Sequence, residues 1–128
     1  MTKALERTWT IADLAAEYDV TLRTIRHYEE LGLLSPERRG TSRVFHNRDR
    51  VRLALILRGK RLGFSLDQIA RIVNMYDEQP GETGQLEYLL DQIDVRRREL
   101  EQRRLDIEET LAELDVVERR CREDLTRL

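Results

Sequence analysis

Apolar positions in the last third of the chain recur every seventh residue: Leu86, Ile93, Leu100, Ile107, Leu114, Cys121 and Leu128. A second row, offset by four, reads Leu90, Arg97, Arg104, Leu111, Glu118 and Leu125. One full row and one half-polar row make a heptad seam. From Gln85 onward there is neither Pro nor Gly. The pattern therefore predicts one unbroken helix of about 43 residues, roughly 65 Å long at 1.5 Å per residue. No turn residue allows that helix to fold back on itself, so its stripe calls for a helix from a second chain. Arg97, Arg104 and Glu118 put opposite charges at different heights of the seam, which suits an antiparallel pair. The predicted dimerisation residues are Leu86, Leu90, Ile93, Leu100, Ile107, Leu111, Leu114, Cys121 and Leu125.

The front of the chain has a shorter rhythm. Thr10 can cap a helix that buries Ile11, Leu14 and Ala15, with Asp13 completing the box. Asp19 ends it in a tight turn. Thr21 caps the next helix, whose inward face would be Leu22, Ile25, Tyr28 or Glu29, and Leu31–Leu33, with Gly32 as the stop. Two short helices so closely joined predict a helix-turn-helix. Thr8-Trp9-Thr10 is too short to assign; a small strand and a plain lead-in both fit. From Ser35 to Phe45, Pro36 bars a helix, Gly40-Thr41-Ser42 suits a loop tip, and Arg43-Val44-Phe45 has strand character. A β-hairpin wing edged by Arg38, Arg39 and Arg43 is predicted. Asn47 would cap a third helix, Arg48–Leu62, with Val51, Leu55 and Leu62 on its apolar face, interrupted at Gly59 and ended by Gly63. Ser65-Leu66-Asp67-Gln68 is a capping box for a fourth helix with Leu66, Ile69, Ile72 and Val73 inward. The basic stretch Arg58-Gly59-Lys60-Arg61-Leu62-Gly63 reads as a loop able to clamp a second phosphate.

Charge separates the two parts. Over all 128 residues the net charge is only −2. Residues 1–76 hold 14 Lys+Arg against 9 Asp+Glu, whereas residues 77–128 hold 9 against 16. The front is thus matched to a polyanion and the back is not. The break falls at Asp77-Glu78-Gln79-Pro80-Gly81-Glu82-Thr83-Gly84, which reads as a linker. The expected organisation is mainly α: a winged helix-turn-helix DNA-binding domain at 1–76, a linker or hinge at 77–84, and a long antiparallel coiled-coil dimerisation helix at 85–128.

On the second helix the exposed positions are Arg23, Thr24, Arg26 and His27. Guanidinium groups that reach guanine, small hydroxyls and few acids are what a recognition helix needs. The candidate DNA-binding set is Thr21, Arg23, Thr24, Arg26, His27, Arg38, Arg39, Arg43, Lys60 and Arg61. Catalysis finds little support. His27 and His46 are the only histidines, neither with an evident nucleophile or orienting acid, and there is no phosphate-binding glycine loop. The single cysteine excludes an internal disulfide framework and a multi-cysteine metal site within one chain; no cofactor or metal is expected. The absence of a long apolar run or secretory signal predicts a cytoplasmic protein without a membrane partner. Two other functions fit the residues alone: a coiled-coil interaction protein whose basic head binds a protein, and an architectural DNA-binding protein with no regulatory ligand.

The strings Thr10-Ile11-Ala12-Asp13-Leu14-Ala15, Thr24-Ile25-Arg26-His27-Tyr28-Glu29-Glu30-Leu31-Gly32-Leu33-Leu34-Ser35-Pro36, Ser42-Arg43-Val44-Phe45 and Leu62-Gly63-Phe64-Ser65-Leu66-Asp67-Gln68-Ile69 resemble the MerR family of bacterial transcription regulators. The resemblance implies a winged-helix DNA-binding domain, an antiparallel coiled-coil homodimer, and promoter operators whose spacer twist the dimer changes for RNA polymerase. Carried over, Arg23, Arg26 and Tyr28 match recognition-helix contacts to bases and phosphates. Arg43 matches the first wing, and Lys60 and Arg61 the second. Ser42 departs from the pattern, since many members have a tyrosine there. Metal-sensing members have cysteines at the start of the dimer helix, and Asn74–Gly84 contains neither Cys nor His. Drug-sensing members append a ligand domain, which is not expected here. The layout resembles a branch linked to leucine and branched-chain acyl-CoA catabolism. A small organic effector is therefore expected rather than a metal.

Overall fold

The computed structural model describes residues 6–78 and 83–128. Its elements are α1 (Ile11–Tyr18), α2 (Leu22–Glu30), β1 (Glu37–Arg39), β2 (Ser42–Val44), α3 (Asn47–Leu62), α4 (Leu66–Glu78) and α5 (Thr83–Arg127). The chain divides into two compact units, Met1–Gln85 and Leu86–Leu128.

Local signals start and stop the helices of the first unit. Asp13 N–H donates to Thr10 Oγ1 at 3.0 Å and Thr10 N–H donates to Asp13 Oδ2 at 2.9 Å. This reciprocal pair satisfies donors that α1 would otherwise leave open. Asp19 closes α1 in the left-handed region, φ 54°. Thr24 N–H then donates to Thr21 Oγ1 at 3.0 Å, and α2 begins within three residues of the end of α1. Gly32, at φ 79°, reverses the chain after α2, and Leu33 N–H donates back to Tyr28 C=O at 2.9 Å. A residue with a Cβ is strained at that φ. The buried positions of this segment are Ile25, Tyr28, Leu33 and Leu34. Leu22 and Leu31, expected inward, are exposed. They sit at the two ends of α2, one in its first turn and one at its cap, outside the short stripe that α2 presents to the core.

The wing is a hairpin with a two-residue turn, Glu37 opposite Val44, Arg38 opposite Arg43, and Arg39 opposite Ser42. Gly40 turns it at φ 63°. Trp9 and Phe45 form an isolated antiparallel bridge with backbone bonds of 2.8 and 2.9 Å, so the lead-in pairs with the chain as it leaves the wing. Trp9 is buried, and the guanidinium carbons of Arg7 and Arg50 lie 4.9 and 5.2 Å from its ring centroid. Cation–π attraction of this kind holds the lead-in to the α3 side of the head.

Helix α3 departs from expectation in three ways. Its cap is His46, one residue before Asn47, with His46 N–H donating to Asp49 Oδ2 at 2.9 Å. It runs unbroken through Gly59, so Arg58, Lys60 and Arg61 stand on its last turns and not in a loop. Its inward face carries Arg52, Leu53, Ile56 and Gly59, whereas Leu62 is 50% exposed and Val51 and Leu55 are half-buried. The face is rotated because Arg52 is buried at a polar junction. Its guanidinium donates to Leu33 C=O (2.9 Å), Val73 C=O (3.2 Å) and Asn74 Oδ1 (3.1 Å). Burying a guanidinium is tolerated only with such partners. Gly59 lets α4 approach: a Cβ there would lie 2.8 Å from Ile69 Cγ1.

Gly63, at φ 88°, ends α3, and the predicted box opens α4, with Ser65 N–H donating to Gln68 Oε1 at 2.8 Å and Gln68 N–H to Ser65 Oγ at 3.1 Å. Ile69 and Val73 are buried, and Leu66 and Ile72 half-buried. Of the expected linker, residues 79–82 lie outside the described residues; Asp77-Glu78 close α4 and Thr83-Gly84 open α5.

The second unit is the body of α5, a helix of 45 residues. Beyond Arg96 every residue is exposed, including Leu100, Ile107, Leu111, Leu114, Cys121 and Leu125. Leu86 and Leu90 are exposed as well, and Ile93 is half-buried. Ion pairs one turn apart brace its polar faces: Arg98 with Asp94, and Arg122 with Glu118 at 2.9 Å. Such pairs stabilise helices by a few tenths of a kcal/mol, about 0.2–0.5 each.

Candidate nucleic-acid interface

The outer face of α2 follows from its inner one. Burying Ile25 and Tyr28 turns Arg23, Arg26 and His27 to solvent, with Thr24 half-exposed between them. Arg23, Thr24, Arg26, His27, Tyr28 and Glu30 line an open depression along this face. The side chains of Arg23 and Arg26 make no hydrogen bond or ion pair with the other described residues. Thr21 and Thr24 are less available, because their hydroxyls lie 2.9 Å apart and Thr21 also caps the helix. Tyr28 faces two ways. It is buried with the core, where burial raises the phenol pKa, and it also lines the depression.

The wing arginines are already engaged. Glu29, on the flank of α2, accepts from Arg38 Nη2 and from Arg43 Nε, each at 2.5 Å. Burial alone would raise the Glu29 pKa; the hydrogen bonds from Arg43 and Arg38 outweigh it and hold the carboxyl below its ordinary range. Arg39 Nε donates to Glu37 Oε2 at 3.0 Å, and His46 Nε2 lies 2.7 Å from Glu37 Oε1. The Glu37 pKa is lowered, first by Arg39 and then by His46. Lys60 and Arg61 are exposed on the last turn of α3, where cations also favour the helix C-terminus. Ser42 opens β2 and is exposed.

Sequence reasoning missed Glu29 and Glu37 as organisers of this surface, and Arg52 as the buried tie between Leu33, Val73 and Asn74. Glu29 carries no local signal, because its partners lie 9 and 14 residues away. The same holds for Glu17, which accepts from Arg50 across 33 residues at 2.5–3.1 Å and is held below its ordinary pKa by that bond. Among the described residues no cluster of three His, Cys, Asp or Glu side chains is placed to hold a metal ion. No described helix is long and apolar enough to cross a membrane.

Two short helices, the second with a basic outer face, followed by a two-stranded wing bearing arginines, define a winged helix-turn-helix module of the kind that binds DNA. Residues 9–76 match the model of the MerR HTH family of regulatory proteins, and residues 50–117 match the MerR DNA-binding model. The chain belongs to the MerR family. The matched family is one of regulatory proteins, and a relative such as HmrR of Rhizobium leguminosarum bv. viciae is an HTH-type transcriptional regulator. Nodulation protein NolA of Bradyrhizobium sp. (strain NC92) is 40% identical over 78 residues, 58% of this chain and 33% of NolA. The chain thus matches about a third of that relative. A MerR-family regulator from Bacillus cereus has a similar structure, with a TM-score of 0.68 and 31% identity over 85% of this chain and 78% of that one. HiNmlR, a MerR family regulator lacking the sensor domain and bound to promoter DNA, superposes with a TM-score of 0.52 at 26% identity, covering 74% of this chain and 80% of its own.

Proposed function

We propose that the protein is a homodimeric, sequence-specific regulator that grips promoter DNA with α2 in the major groove and the wing on the flanking backbone. The observation that carries this reading is the pair Arg23 and Arg26, exposed and without ion pairs among the described residues, on the helix whose other side is locked into the core. Arginines so placed are free to pair with guanine edges or phosphates. The promoter complex of HiNmlR, which has the same fold, supports the DNA partner. The exposed apolar row on α5 supports self-association, since each Leu or Ile covered contributes roughly 1.5–3 kcal/mol. Two heads on one rigid pair of helices would read two half-sites at fixed spacing and reshape the spacer between them, with RNA polymerase as the reader of that change. The effector is a small organic metabolite and not a metal, a reading supported by the single cysteine.

The test is selection of duplexes from a randomised library by the full-length protein, followed by footprinting. A site with two-fold symmetry is expected, with two protected half-sites and an altered spacer. Enrichment of no sequence, or of a lone half-site, would overturn the reading.

A further inference from the structure

We infer that Glu29 is a positioning residue for DNA recognition: its carboxylate bolts the wing to α2, so that helix and wing meet DNA as one rigid body. The inference rests on the DNA-binding reading above and adds a residue to it.

The geometry is unusual for a surface acid. Arg38 and Arg43 are direct cross-strand partners in the hairpin, and like charges placed opposite each other destabilise a strand pair. One carboxylate takes a hydrogen bond from each, so a single negative charge relieves the repulsion inside the wing. Because that carboxylate sits on α2, the same two bonds fix the distance between wing and helix. Glu29 itself is only 16% exposed, and its contact with Arg43 is part-buried and so less screened by salt, whereas Arg38 reaches it from the solvent side. The clamp also leaves the cations useful. Arg43 spends only Nε and Arg38 only one Nη2 bond on Glu29, so further donors on each guanidinium remain to meet a phosphate. No other described element ties the hairpin strands to α2 by side-chain ion pairs.

The test turns on a sign. Removing an acid beside a DNA-binding surface raises affinity for every duplex if the acid acts only through its charge. A positioning role predicts the reverse for the preferred duplex. Glu29→Gln keeps the shape but lacks the charge that holds both guanidinium groups. The probes are the duplex most enriched by the wild-type protein and a scrambled duplex of the same composition. Affinity of the variant for the enriched duplex is expected to fall about tenfold, the scale of losing a charge-assisted contact, while affinity for the scrambled duplex holds or rises. Hydrogen exchange of the wing amides, measured without DNA, is expected to speed up in Glu29→Gln. It should also speed up in the Arg38→Met/Arg43→Met double variant, which dismantles the clamp from the other side. Equal or tighter binding of the enriched duplex by a folded Glu29→Gln protein would overturn the inference. So would unchanged wing exchange in both variants. Failure of the wild type to enrich any duplex would sink the DNA reading, and the exchange measurement would still decide whether Glu29 holds the wing.

Discussion

Replacing Gly59 by Ala sets two effects of opposite sign against each other. In an unconstrained helix interior, Ala is favoured over Gly by about 0.8–1.0 kcal/mol. Gly59 lies in α3, so propensity alone makes Gly59→Ala stabilising. The new Cβ, however, would stand 2.8 Å from Ile69 Cγ1 and 3.1 Å from Ile69 Cδ1. Ile69 is 1% exposed and branched at Cβ, so the near atom is not the free end of a flexible chain and has little room to withdraw. Overpacking a tight contact costs roughly 1–3 kcal/mol. The overlap therefore wins, and a net loss of about 1 kcal/mol is expected. The single tryptophan makes the assay simple: Trp9 is buried in the head, so its fluorescence follows unfolding of that unit in urea. The midpoint should fall with an unchanged slope. Gly84 is the contrasting helical glycine, since a Cβ there meets nothing within 4 Å, and Gly84→Ala should be neutral or stabilising. A Gly59→Ala head stabilised by about 1 kcal/mol would refute the close packing of α3 on α4.

Three further outcomes follow from the same geometry. Arg23→Ala should relax base preference and cost on the order of 1–3 kcal/mol on the preferred duplex, read by gel shift; equal affinity in both Arg23→Ala and Arg26→Ala would remove α2 as the recognition helix. Glu29 has a lowered folded-state pKa, so its contribution is complete above the ordinary carboxylate value and is lost as pH falls through the lowered one. Urea midpoints of the head should accordingly drop in acid, less steeply in Glu29→Gln, and a midpoint that rises on acidification would contradict this. Cys121 is exposed in the apolar row of α5, and Cys121→Ser should leave DNA binding and regulation intact; metal-dependent transcription abolished by this one change would mean that the effector is a metal.

The parts of the fold legible in the sequence are those decided within a few residues. Thr10 with Asp13, Ser65 with Gln68, and the stop at Gly63 are local bargains between side chain and backbone, and the structure has them where the spacing put them. The outer face of α2 was readable for the same reason, since burying Ile25 and Tyr28 leaves Arg23 and Arg26 no other direction. What could not be read depends on partners far along the chain. The rotation of α3 follows from Arg52 reaching the carbonyls of Leu33 and Val73, and periodicity counts an arginine as outward. Gly59 looked like a helix break because its purpose is the approach of Ile69, ten residues on. Asn47 drew the cap assignment on preference alone, whereas Asp49 makes its bond to the residue before it. Glu29 was legible only as an alternative to Tyr28 on the inward face of α2; its tie to the wing had no signature, because its two partners lie 9 and 14 residues along the chain.

The central claim is that α5 pairs two heads so that they read DNA together. Ile107 and Leu114 are 60% and 57% exposed in the single chain, on the row proposed as the seam. Replacing both with Asp would bury four carboxylates per dimer, and a buried unpaired charge is not tolerated. Sedimentation equilibrium of Ile107→Asp/Leu114→Asp, alongside its binding to the duplex that the wild type prefers, is the most direct measurement. The account predicts a monomer whose head still unfolds cooperatively by Trp9 fluorescence and whose binding of that duplex is lost. A demonstrated monomer that binds with wild-type affinity would contradict it.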